Sequence, residues 1–313
     1  MIYLAYLLIA AGVVWFSVKA SNYIDLLDKK TSLSGAFIGG IMLSAVTSLP
    51  ELFTSISATV LLHQPDLCLG NILGSDLFNM AMLSFFLLLF TRTFGKAALS
   101  ASHRVVTAFV FVCYLMLILN WLGIVRITIL SVSLTSVCIV VLYILSIRFL
   151  SADDSGTEGE ADASPLSVRQ IVMRFVAFSV GIVVLSVLIT YITDDISARL
   201  HLGQSLAGAL FLGIATSLPE AASTVTLLRM GNVDVAFGNI VGSNIFNLVI
   251  MAVVDILYRG SVYDFSDPQT VVLLLCGAVA LPLLWIMMKY RNHVTKIACP
   301  LLILACYGVF LLA

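Results

Sequence analysis

Charge is what this chain lacks most. Only 11% of its 313 residues are Asp, Glu, Lys or Arg, against about 25% in an ordinary soluble domain. Neither sign dominates: 16 Lys and Arg against 17 Asp and Glu leave a net charge of −1, which gives no basic patch for nucleic acid and no acidic tail. Paired cysteines are missing too. Cys68, Cys113, Cys138, Cys276, Cys299 and Cys306 are scattered through apolar stretches without a C-x-x-C pair, so neither a disulfide framework nor a thiolate metal site is indicated, and they read as small hydrophobes. His63, His103, His201 and His293 fall in expected loops and read as solvated. There is no HExxH and no membrane-embedded Ser–Lys or Ser–His pair. The chain therefore does not read as an enzyme, and no cofactor or protein partner is indicated.

What is present is apolar surface. Hydrophobic residues make up 61% of the chain, in blocks of about 18–25, the length that crosses a hydrocarbon core of about 30 Å. The expected solvent is a lipid bilayer. Ten spans are predicted: 1–18, 33–62, 66–90, 105–121 and 126–149 before a polar stretch at 151–168, then 170–192, 203–228, 234–257, 269–288 and 296–313. Backbone groups in lipid must be satisfied within the segment, so the spans are helices. The first lacks a charged n-region and a cleavage site, and reads as a retained span. Of the 16 Lys and Arg residues, all but Arg126, Arg199 and Arg259 fall on one side of this layout. The positive-inside rule then places both termini outside and 151–168 in the cytoplasm, and so short a central loop suggests a prokaryotic plasma (inner) membrane. That loop, rich in acids, reads as a solvated tether between residues 1–150 and 169–313.

Self-similarity is the most informative feature. Residues 35–83 and 204–251 align almost without gaps. TSLPE at Thr47–Glu51 recurs at Thr216–Glu220, and GNILGSDLFN at Gly70–Asn79 recurs as GNIVGSNIFN at Gly238–Asn247. The copies are five spans apart, an odd number, so the second is upside down relative to the first. Inverted, Gly/Pro-interrupted segments at corresponding positions point to a transporter's binding site. The expected fold is an all-α membrane protein of two inverted five-helix repeats, with helices 2, 3, 7 and 8 broken.

Glu51 and Glu220 lie deep in their predicted spans, where a carboxylate costs about 2.5–3.5 kcal/mol on insertion scales. No Lys or Arg lies in either motif, so a bound cation is the natural compensation. Thr47, Ser48 and Glu51 share a helix face through i,i+3 and i,i+4 spacing, as do Thr216, Ser217 and Glu220. Ser75 with Asn79, and Ser243 with Asn247, repeat the i,i+4 spacing. Pro50 and Pro219 lack an N–H, which frees the carbonyls of Val46 and Ala215. Two carboxylates among hydroxyl, amide and carbonyl oxygens suit calcium, which takes about 6–8 oxygen ligands. Pro kinks and small residues also serve close helix packing, but packing alone does not explain buried Glu in both copies.

At these residues the chain resembles the sodium/calcium exchanger branch of the cation/calcium antiporter superfamily. The resemblance implies that Glu51 and Glu220 are central calcium ligands shared with sodium. It implies that Thr47, Ser48, Ser75 and Asn79 complete the site on one side, and Thr216, Ser217, Ser243 and Asn247 on the other. The carbonyls of Ser44 and Gly213 would help bind outer sodium ions. Relatives that depend on potassium carry Asp where this chain has Asn247, which argues against potassium co-transport here. Asp76, opposite Asn244 of the other copy, is expected outside the core site, facing a neighbouring helix or a water-filled path. Asp255 is expected to be interfacial. The function implied is sodium-for-calcium exchange by alternating access. Calcium/proton exchange is the main rival, since a buried Glu also carries protons, and a passive cation channel fits less well.

Overall fold

The computed structural model describes residues 2–30, 45, 47–96, 99–129, 132–152, 166–229, 231, 233–290 and 292–313. These residues are overwhelmingly helical, as expected for a chain that must satisfy its backbone inside lipid. In chain order the main helices are α1 (Ile2–Lys30), α2 (Leu49–Leu61), α3 (Pro65–Leu89), α4 (Ala101–Trp121), α5 (Leu134–Ala152), α6 (Val168–Leu200), α7 (Gln204–Arg229), α8 (Val233–Leu257), α9 (Pro268–Lys289) and α10 (Thr295–Leu312). Among the described residues eight are long and apolar enough to cross a membrane, while Leu49–Leu61 and Leu134–Phe149 are shorter apolar helices. Between α4 and α5, β1 (Thr128–Ile129) pairs antiparallel with β2 (Val132–Ser133).

The helix ends follow local chemistry. Pro65 and Pro268 open α3 and α9, where a missing N–H costs nothing and φ is already helical. Asp267 caps α9 by accepting the Gln269 N–H at 2.9 Å. Ser167 and Gln170 form a reciprocal capping box at the start of α6, satisfying two otherwise orphaned donors. His201 then ends α6 in a left-handed conformation.

Polarity is arranged inside out. Leu4, Leu7 and Leu8 on α1, and Val176, Val180, Val184 and Leu188 on α6, are exposed, whereas Thr47, Ser48, Glu51, Asn71, Ser75, Asp76 and their counterparts in α7 and α8 are buried. Apolar side chains on the outside are stable only in lipid. This is an integral membrane protein. Helices α3 and α8 are buried along most of their length and α1 and α6 along little of it. The outer pair pack on one another through Phe16, Tyr23 and Phe178, and Tyr6 of α1 donates to the Phe211 carbonyl of α7 at 2.6 Å.

Among the described residues, two of the four helices expected to be broken depart from regular α geometry and the other two do not. Helix α2 passes from α-helix into a π turn at Ser57–Leu61, and α7 carries a π turn at Gly208–Gly213 before resuming through Pro219. By contrast, α3 and α8 are continuous. Their motifs contain no proline, and the glycines of α3 serve close approach. A Cβ at Gly74 would lie 2.5 Å from Ala209 Cα, and one at Gly213 would lie 3.0 Å from Ser75 N. Helix α3 and the π turn of α7 thus meet backbone to backbone.

Asp255, near the end of α8, is buried: it accepts the Ser133 N–H at 2.9 Å and the Ser136 hydroxyl at 2.6 Å, which anchors the β-hairpin. One further expectation is corrected. His103 is in the first turn of α4, not in a loop, buried against Gly238 with Nε2 3.0 Å from Asp234 Oδ1. Ser100 caps this turn by accepting the Ser102 N–H at 3.2 Å.

Candidate cation site

Glu51 of α2 and Glu220 of α7 are each 1% exposed. They are joined crosswise. Ser48, three residues before Glu51, donates to Glu220 Oε1 at 3.4 Å, and Ser217, three residues before Glu220, donates to Glu51 Oε1 at 3.4 Å. The i,i+3 spacing that puts serine and glutamate on one helix face thereby lets each motif supply a hydroxyl to the other's carboxylate. Thr216 also approaches Glu51, and Thr47 and Ser243 approach Glu220.

The second oxygen of each carboxylate, Oε2, is buried without a hydrogen-bond partner, as are Asn79 Oδ1, Asn247 Oδ1 and Ser243 Oγ. A buried unpaired polar atom costs about 1–3 kcal/mol, and more when charged. Here the orphans are carboxylate and amide acceptor oxygens and one hydroxyl, which accepts as well as donates, from residues of both motif pairs, the oxygen set that a hard cation takes. Ser75 donates to the Gly213 carbonyl at 3.2 Å, which leaves the hydroxyl lone pairs available. Ala215 is buried next to Thr216, and with proline four residues on no helical N–H reaches its carbonyl. Ser44 and Val46 lie outside the described residues. Among the described residues no three His, Cys, Asp or Glu side chains cluster in a way that would hold a metal. Any ion held here would draw most of its oxygens from hydroxyls, amides and carbonyls.

Two asparagines outside the expected ligand set fix these helices. Asn71 Nδ2 lies 2.9 Å from Thr54 Oγ1, 2.9 Å from Ser55 Oγ and 3.4 Å from the Glu51 carbonyl. Asn239 Nδ2 repeats the pattern with Thr224 Oγ1 at 3.1 Å and the Glu220 carbonyl at 3.4 Å. The second residue of each GNI motif therefore bolts the glutamate helix to its neighbour. Its identity in both copies was the available signal. Asp76 is buried and faces Tyr114 of α4 and Asn247 of α8, so it faces neighbouring helices, one of the two placements expected of it.

The sequence pattern of the family described as "Sodium/calcium exchanger protein" matches residues 1–152 and 171–313. The chain is 26% identical over 242 residues to "Inner membrane protein YrbG" of Escherichia coli (strain K12), covering 72% of this chain and 70% of that protein. It is 28% identical over 164 residues to "Sodium/potassium/calcium exchanger 4" of Mus musculus, covering 48% of this chain and 25% of that one. Its fold is similar to that of the sodium-calcium exchanger NCX_Mj soaked with 100 mM Na+ and 10 mM Sr2+, with a TM-score of 0.63 and 20% identity over 100% of this chain and 99% of the other. It is also similar to that of the H+/Ca2+ exchanger CAX, with a TM-score of 0.69 and 14% identity over 99% of this chain and 87% of the other.

Proposed function

Because the chain belongs to the sodium/calcium exchanger protein family, we propose that it is a secondary antiporter exchanging sodium for calcium by alternating access. Glu51 and Glu220 are its central ligands. Thr47, Ser48, Ser75 and Asn79, and Thr216, Ser217, Ser243 and Asn247, complete the oxygen shell, with carbonyls from Ser44, Val46, Gly213 and Ala215. The observation that carries this reading is the crossed Ser48–Glu220 and Ser217–Glu51 pairing, with one partnerless buried oxygen left on each carboxylate.

The proposed architecture has ten spans, with α2 and α5 counted among them. They form two inverted five-span halves, 1–150 and 169–313, joined by a cytoplasmic acidic linker at 151–168, in the inner (plasma) membrane with both termini outside. The exchange rule follows from electrostatics. Two unneutralised carboxylates enclosed in a low dielectric are costly, whereas calcium or sodium ions offset them. The empty site therefore crosses slowly and the loaded site readily. Helices α1 and α6, which touch lipid along most of their length, slide over a core that stays fixed around the ions. The wealth of neutral hydroxyl and amide oxygens beside the two carboxylates favours sodium over protons as the coupled ion, since a proton needs one basic oxygen and no shell.

Vesicles containing the purified chain, loaded with sodium and diluted into sodium-free medium with labelled calcium, are expected to accumulate calcium. Without internal sodium they are expected not to. Uptake driven by a proton gradient alone would establish calcium/proton exchange instead, and uptake without any counter-ion would make the protein a channel.

A further inference from the structure

The two GNI-x-GS-x-x-FN segments differ at the residue after the serine, Asp76 in α3 and Asn244 in α8. Both are buried, and they sit in one chain of hydrogen bonds. Asp76 Oδ1 accepts from Asn247 Nδ2 at 3.0 Å, and Oδ2 accepts from the Tyr114 hydroxyl at 3.0 Å. The Asp76 main-chain carbonyl accepts from Asn244 Nδ2 at 3.3 Å, and Asn244 Oδ1 accepts from Asn79 Nδ2 at 3.1 Å.

An asparagine amide has a donor end and an acceptor end, and its neighbours decide which end faces where. A main-chain carbonyl only accepts. Asn244 must therefore turn its nitrogen to Asp76 and its oxygen to Asn79, and Asn79 must answer with its nitrogen. A carboxylate also only accepts, so Asn247 must turn its nitrogen to Asp76. The consequence is that Asn79 Oδ1 and Asn247 Oδ1 are the ends left buried without a protein partner. Both belong to residues assigned to the ion's shell, and an amide is useful to a cation only oxygen first.

We propose that Asp76 is a positioning residue of the cation site, holding Asn247 directly and Asn79 through Asn244 with their amide oxygens free for the ion. This rests on the reading of the site given above. Tyr114 braces the other carboxylate oxygen from α4, and its ring has room because α9 carries Gly277 there: a Cβ at Gly277 would sit 2.5 Å from Tyr114 Cε1. In Asp76→Asn the new side chain offers one acceptor to two donors, Tyr114 and Asn247. One of them goes unmet, and if Asn247 turns over it presents an NH₂ group to the ion.

The geometry also names the rescue. In the double variant Asp76→Asn with Asn247→Asp, Asn at 76 accepts from Tyr114 and donates to Asp at 247, which carries an oxygen at either end. The net charge of the pair is conserved and every bond is restored.

The test is equilibrium binding of labelled calcium to purified protein in detergent, beside the vesicle assay on the unaltered chain. Asp76→Asn is expected to weaken calcium binding by about tenfold or more, the scale of one hydrogen bond to a charged group. The double variant is expected to recover to within about threefold of the unaltered chain. Tyr114→Phe, which leaves the carboxylate unbraced, is expected to weaken binding by about threefold. A merely structural role would lower thermal stability while leaving the affinity of the monodisperse protein unchanged. Should Asp76→Asn alone aggregate, Tyr114→Phe and the double variant still decide. Binding by Asp76→Asn within about twofold of the unaltered chain overturns the inference, as does a well-folded double variant that fails to bind. If the unaltered chain itself binds no calcium, the exchange reading falls with it. If it binds and exchanges normally and Asp76→Asn binds within about twofold of it, only the role of Asp76 is lost.

Discussion

Replacing either Glu51 or Glu220 by Gln is expected to abolish sodium-driven calcium uptake while leaving the protein inserted and folded. Each carboxylate is buried and takes part in the crossed serine pairing, so an amide of the same shape keeps the packing and deletes the charge. Two unit charges about 4 Å apart interact by about 4 kcal/mol at an effective dielectric constant of about 20. A divalent ion in direct contact with the carboxylate feels more than that. Loss of one carboxylate therefore removes at least about three powers of ten in calcium affinity. Stability moves the other way. Removing one of two buried like charges relieves desolvation, so the variants are expected to unfold at the same temperature as the unaltered chain or higher, and to lose the stabilisation that calcium confers by binding the folded state. Near-normal flux in either variant would take that residue out of the site.

The second large effect concerns packing rather than charge. Alanine at Gly70 or at Gly208 is expected to destabilise the protein strongly. In an unobstructed helix the same change stabilises by about 1 kcal/mol. The sign reverses because of what the new methyl would meet. At Gly70 it would overlap the Ser205 carbonyl and lie 2.8 Å from Ser205 Cα, and at Gly208 it would overlap the Leu67 carbonyl and lie 2.8 Å from Asn71 N. These are backbone atoms and cannot swing aside. Forcing α3 away from the π turn of α7 is expected to cost about 1–3 kcal/mol, and it would also separate Ser75 from the Gly213 carbonyl. Gly308 is the control, since nothing lies within 4 Å of a Cβ there. Thermal unfolding of the three alanine variants in detergent checks the contrast. Equal midpoints for all three would show that the close approach of α3 and α7 carries no stability.

The features legible in the sequence were those repeated in it. Blocks of apolar residues mark the helices because lipid admits few alternatives. Glu51 and Glu220 stand out because a carboxylate in such a block is rare, and its recurrence in TSLPE rarer still. Helical spacing places Ser48 beside Glu51 but says nothing of which carboxylate its hydroxyl reaches. The bond in fact crosses to Glu220, 172 residues away in sequence. That is a tertiary fact. Glycine in a helical run marks either an interruption or a close approach, and the sequence does not separate the two: Gly70 and Gly74 are where α7 packs against a continuous α3. Asp255 lies near a helix end, and the Ser133 N–H of the β-hairpin that it accepts comes from 122 residues away in sequence, which helical spacing does not show. Asp76 stands about 100° around the helix from Ser75, which turns it away from that face of α3, and only Tyr114 of α4 and Asn247 of α8 connect it to the site.

The central claim is that a cation is held between the two glutamates by oxygens left without partners in the protein. Strontium, a calcium congener with a usable absorption edge, tests it most directly in crystals of the unaltered chain. An anomalous peak is predicted between Glu51 Oε2 and Glu220 Oε2, lost in Glu51→Gln. A peak confined to the hydrophilic cavity around Asp255 and Asp264, or none within reach of either glutamate at concentrations that support transport, would contradict it.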